Sequence, residues 1–133
     1  MLISSGVAAC STGDPASPAP SAEPLPTPTY HRDIAPILER SCVKCHHEGG
    51  VGPFALTSYD LARAMAPALT TEVTARRMPP WGAQDTSECR PPLTWRDDER
   101  LSQEEIDIFR RWEAAGTPEG DPGDMLPLTV AFQ

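Results

Sequence analysis

The stretch SCVKCHHEGG, residues 41–50, puts Cys42, Cys45, His46 and His47 within six positions of a 133-residue chain that has four cysteines and three histidines in all. A cluster this dense constrains the fold strongly, because a chain of this length holds at most one domain. Residues 11–29, STGDPASPAPSAEPLPTPT, carry six prolines among Ser, Thr and Ala. That composition stays extended as a semi-rigid spacer and is expected to be a disordered linker. About ninety residues remain for a core, few enough that such domains lean on a disulfide, a metal or a large cofactor. With three Phe, three Trp and two Tyr, the chain looks built around something apolar that its own residues do not supply. The 11 basic against 19 acidic residues, net −8, argue against nucleic acid or anionic lipid and favour a basic or neutral partner.

From Tyr30 the pattern is helical, without strand alternation or internal repeat, so an all-α fold of three or more helices is expected. Asp33 reads as an N-cap with Pro36 in the first turn. Ile34, Ile37, Leu38, Cys42 and Cys45 recur at i, i+3, i+4 spacing, placing both cysteines on the apolar side of this helix and its extension, and EGGVGPF ends it. A second helix, capped by Thr57 or Ser58, runs through Leu61, Met65, Leu69 and Val73 toward Arg76. Residues 78–98, with MPPW and RPPL, read as an ordered loop without regular structure. In the last helix Ser102-Gln103-Glu104-Glu105 is a capping box, Ile106, Phe109 and Trp112 line one face, and Gly116 is the stop before Pro118. An irregular tail is expected over 121–133.

Three chemistries compete for the cysteine cluster. Zinc needs four ligands, so Cys42, Cys45 and His46 or His47 would need Cys89 or His31. A thioredoxin-like redox pair needs its C-x-x-C at a strand end in a βαβ setting, and the surroundings here are helical. Covalent haem attachment needs two thiols three apart on one helical face, to add to two vinyl groups, and a histidine immediately after to reach the iron. The residues favour haem c. His46 is then the proximal iron ligand, and Met78, in Arg76-Arg77-Met78-Pro79-Pro80-Trp81, is the candidate distal one. His31 is the lesser alternative, and Met65 has the helical spacing of a core residue.

Residues 30–120 resemble a small class I type cytochrome c: a helix leading into Cys42-Val43-Lys44-Cys45-His46, a mid-chain Met78-Pro79, and an aromatic C-terminal helix. DIAPIL, GPFAL, RRMPPW and the late Cys89 are also similar to the cytochrome-like domain that precedes copper type II, ascorbate-dependent monooxygenase modules in bacterial secreted proteins. No such module is present in these residues, and copper chemistry is not carried over. The resemblance implies that the first and last helices cross, bringing Ile34, Ile37 and Leu38 against Phe109 and Trp112. It implies that the Pro53 carbonyl, beside Phe54, accepts the proximal histidine Nδ1–H, and that Arg76, Arg77 and Trp81 line the haem environment near its propionates.

Single-electron transfer to an unidentified redox protein is the expected function. The competing class is a haem enzyme or sensor in which a labile Met78 admits peroxide or a gas. The less favoured one is a zinc module of Cys42, Cys45, His46 and Cys89. MLISSGVAAC resembles a bacterial lipoprotein signal ending at Cys10, which implies a lipid anchor in the periplasm or cell envelope. The run lacks a preceding Lys or Arg, so either its start lies upstream or these residues are an unstructured tail. Cys89 is expected to be a free, largely buried thiol in the loop covering the haem.

Overall fold

Helical winding begins ahead of the expected Asp33 cap. In the computed structural model, which describes residues 24–82, 86–88, 92–93 and 95–125, Tyr30–Ile34 form a π-helical turn that runs into α1, Ala35–Ser41. Pro36 lies in the first turn of α1; it has no N–H for the carbonyl four residues back, and the wider winding before it relieves the ring's clash with that carbonyl. Asp33 therefore lies inside the winding and is not the N-cap. Its Oδ2 accepts the N–H of Thr29, the actual N-cap residue, at 2.7 Å.

The single second helix expected from the sequence is two helices, α2 (Tyr59–Ala64) and α3 (Ala66–Thr74), broken at Met65. Pro67 near the start of α3 removes a bond that would have carried the first helix onward. Ser58 is the cap of α2, its side chain accepting the Leu61 N–H. The break shifts the inward face: Ala62, Ala66, Leu69 and Val73 are buried, while Leu61 is 42% exposed and Met65 only partly covered. The last helix, α4 (Gln103–Ala114), has both halves of the Ser102/Glu105 capping box. It ends in a Schellman arrangement, Gly116 N–H to Glu113 and Thr117 N–H to Trp112, with Gly116 at φ +80°. There the missing Cβ matters. A 3₁₀ turn, Pro122–Asp124, follows within the segment expected to be irregular.

The fold is all-α, with no strand among the described residues. α4 packs most extensively on α3 and also on the π-helical turn. The π-helical turn ahead of α1 packs on α4, and Ile34, Ile37 and Leu38 share one buried core with Phe109 and Trp112. The Tyr30 ring lies 5.5 Å from Tyr59 and 6.4 Å from Trp112, centre to centre. The chain after α4 locks this corner: the Pro118 carbonyl accepts from Trp112 Nε1–H at 3.0 Å and from Tyr30 N–H at 2.9 Å. Tyr59 donates its hydroxyl to the Thr117 carbonyl. At the other end of α1, Arg40 pairs with Glu105 at 2.7 Å. No helix among the described residues is long and apolar enough to cross a membrane.

Candidate functional site

Past Ser41 the chain leaves α1 and rewinds at once. Cys42 and Val43 both donate their N–H to the Leu38 carbonyl, and Cys45 (3.1 Å) and His46 (2.9 Å) both donate to the Cys42 carbonyl. The C-x-x-C-H is thus one helical turn, and i, i+3, i+4 spacing puts Cys42, Cys45 and His46 on one side of it. Cys42 is buried, Cys45 is half-buried, and both thiols are free. Burial pushes the Cys42 thiol up to about 11, with Arg40 opposing and Glu99 and Cys45 reinforcing the shift. A redox C-x-x-C depends on a depressed thiol pKa. Cys42 is shifted the opposite way, which disfavours a thioredoxin-like pair.

His46 is oriented by the loop that follows. Its Nδ1 lies 3.0 Å from the Phe54 carbonyl oxygen; a carbonyl only accepts, so Nδ1 is the donor of this bond. The acceptor is Phe54 and not the expected Pro53. Gly52 N–H to Cys45 and Leu56 N–H to His46, at 2.9 and 2.8 Å, pin the loop at both ends. That pinning turns the Phe54 carbonyl, one residue later than expected, toward the ring. The Phe54 ring also packs on the imidazole, with centres 4.8 Å apart. Gly52 is required by close approach, since a Cβ there would stand 2.6 Å from His46 Nδ1. His47 is exposed and bonds through Nδ1 to the neighbouring Glu48 carbonyl.

The second group of expected residues lies beyond α3. Ala75, Arg76 and Arg77 close that helix as a second Schellman turn, with Arg76 N–H to Val73 and Arg77 N–H to Glu72, and Arg76 takes φ +54°. Met78 follows, 39% exposed, and Pro79 is buried. Both arginines expected near the haem are engaged by protein groups. Arg77 grips Glu72 with two bonds of 2.7 Å, and Arg76 donates to the Leu101 carbonyl and to Gln103. Trp81 is half-buried, its Nε1 covered and without a hydrogen-bond partner among the described residues, and the Arg100 guanidinium lies over its ring.

No hydrogen bond or ring contact among the described residues joins Met78 to His46. The two groups are tied through residues 99–103: Glu99 pairs with Lys44 at 2.9 Å, Arg100 covers Trp81, and Leu101 and Gln103 hold Arg76. Sequence reading missed this segment, since a charged stretch before a capping box carries no motif. His31 sits beside the chain after α4, its Nε2 3.5 Å from a Glu119 carboxylate oxygen. Cys10 and Cys89 lie outside the described residues. Among those described, no three His, Cys, Asp or Glu side chains converge as a metal-holding group.

No protein-family model matches the chain, and neither a curated protein nor a solved structure matches it. The chemistry of the donor set decides what it can hold. Two free thiols and an imidazole share one turn, and among the described residues apolar Val51, Leu61 and Met78 remain exposed and the Trp81 indole N–H has no acceptor. The two thiols and the imidazole of that turn are a donor set that could hold a covalently attached haem.

Proposed function

We propose that residues 30–120 are a c-type cytochrome domain for single-electron transfer, its haem held by Cys42, Cys45, His46 and Met78. The observation that carries this reading is the C-x-x-C-H turn, with two free thiols and a histidine whose Nδ1–H is already bonded to the Phe54 carbonyl. Cys42 and Cys45 would hold the haem as thioethers, an addition of thiol to vinyl that would need no oxidant or reductant. His46 offers Nε2 as an iron ligand, and the Phe54 carbonyl both fixes the ring and raises its basicity. Met78 offers a thioether, a soft donor that favours the reduced state. Bound haem supplies a one-electron couple at its iron. The redox partner presents a basic or neutral face to a chain of net charge −8. Attachment takes place in an extracytoplasmic compartment, with Cys10 as the candidate lipid anchor.

The test is production in a secreting host with c-type maturation machinery, followed by haem staining of a denaturing gel. The wild-type band stains, and that of Cys42→Ala/Cys45→Ala does not. An unstained wild-type band overturns the proposal, and tightly bound zinc in the same preparation puts the zinc module in its place. In the loaded protein, Met78→Ala abolishes the near-infrared sulfur-to-iron band and opens the iron to carbon monoxide. An unchanged spectrum removes Met78 as ligand and makes His31 the next residue to replace.

A further inference from the structure

The loop after the C-x-x-C-H turn carries Val51 at its tip, 89% exposed. Leu61 of α2, itself 42% exposed, joins Pro53, Phe54 and Ala55 in lining an open cavity of about 420 Å³ against the same loop. Single exposed aliphatic residues are ordinary on a protein surface. Here two of them accompany a cavity whose wall is already fixed, since the N–H groups of Gly50, Gly52 and Leu56 bond to the carbonyls of His47, Cys45 and His46 at 2.8–3.0 Å. A surface ordered before binding avoids much of the entropy cost of association. Glu48 lines the edge of the cavity, exposed and in no ion pair among the described residues. The neighbouring cations are engaged elsewhere: Arg63 pairs with Asp60 at 3.3 Å and lies over the Tyr59 ring, and Lys44 pairs with Glu99. An apolar centre with a polar edge is how binding faces are built, and an unpaired carboxylate on a chain of net charge −8 is complemented by a basic face. The same wall leads to His46. Phe54 packs its ring on the imidazole and accepts from Nδ1 at 3.0 Å.

We infer that the loop of residues 47–55, together with Leu61, is the docking face for a basic redox protein, an inference that rests on the haem reading above. The partner seats an apolar side chain in the cavity against Phe54 and Leu61 and sets a lysine or arginine beside Glu48. One electron then passes by way of the Phe54 carbonyl and the hydrogen-bonded His46 ring. No bond is made or broken, and the partner is oxidised as the iron is reduced, or the reverse.

The test uses isotope-labelled, haem-loaded protein with a lysine-rich mitochondrial cytochrome c as the probe, its iron replaced by zinc so that NMR reads binding without electron exchange. Amide shifts centred on Glu48, Val51 and Leu61 at low salt, shrinking as salt rises, support the inference. Shifts centred elsewhere, spread evenly over the surface, or absent overturn it. With the iron form of the probe, stopped-flow measurement compares Val51→Ser, Glu48→Lys and Asp124→Lys with wild type. Val51→Ser and Glu48→Lys each slow electron exchange by about fivefold or more. Asp124→Lys, which changes the net charge as much as Glu48→Lys but lies in the 3₁₀ turn after α4, slows it less. A wild-type rate in Val51→Ser, or equal slowing by the two lysine variants, overturns the inference, because net charge alone then accounts for the association. A wild-type band that does not stain for haem overturns the haem reading itself, whereas a stained protein whose shifts lie elsewhere overturns only the docking face.

Discussion

A Cβ on residue 52 would sit 2.6 Å from His46 Nδ1, so Gly52→Ala must displace either the imidazole or the loop that supplies its acceptor. Overpacking of this kind costs about 1–3 kcal/mol, and urea denaturation of the unloaded chain should show a loss in that range. A loss near zero would mean that the ring is not held where Phe54 can accept from it. The two thiols of the same turn should separate kinetically. Cys42 is buried with its pKa pushed up to about 11, while Cys45 is half-buried. In the chain made without haem, iodoacetamide at neutral pH should alkylate Cys45 at least about tenfold faster, since the thiolate is the reacting form. Peptide mass mapping over time reads the order, and faster reaction at Cys42 would contradict the described burial.

At the scale of the element, α4 starts under electrostatic control. Burial raises the Glu105 carboxyl, but the Ser102 N–H and the Arg40 guanidinium outweigh it and hold the group below the ordinary glutamate range. A carboxyl depressed on folding contributes stability that is present above its ordinary value of 4.5 and lost as pH falls through the lower folded value. Glu105→Gln should therefore lower Tm at pH 7 and make the acid loss shallower, the two proteins converging toward pH 3. Parallel thermal curves over that range would remove Glu105 from the account. The end of α3 shows how a tertiary contact offsets local strain. Arg76 occupies the left-handed region where glycine is favoured, and its side chain reaches Leu101 and Gln103 at the start of α4. The same bonds that hold this turn join α3 to α4.

For the whole molecule, net charge decides which partners approach fastest. A chain of charge −8 attracts cations over roughly a Debye length, about 10 Å at 0.1 M ionic strength. Haem-loaded protein should exchange electrons faster with a cationic metal complex than with an anionic one of similar driving force at low salt. The two rates should converge as salt rises. Stopped-flow measurement across an ionic-strength series checks this, and an anionic reagent that is faster at low salt would point to a basic patch around the reacting edge. The same balance argues for a redox partner with a basic docking face.

What the sequence determined by itself is what closes within a single turn. C-x-x-C-H predicts one helical turn because its bonds run from Cys45 and His46 back to Cys42, and Ser102 with Glu105 predicts a helix start because each caps the other. Gly116 predicts a stop because only a residue without Cβ takes that φ freely. Arg76 makes the same kind of stop unannounced, since contacts across the fold hold it there. The break at Met65 was written in Pro67, but which face turned inward, with Ala62 and Ala66 buried and Leu61 exposed, was decided by the fold. Choosing Phe54 over Pro53 as the acceptor required a loop pinned at both ends, a difference of one residue that no spacing rule resolves. The engagement of Arg76 and Arg77 by protein partners, and the bridge through residues 99–103, were decided only in three dimensions. Polar side chains choose among acceptors by proximity in the folded chain, and that choice leaves no periodicity in the sequence.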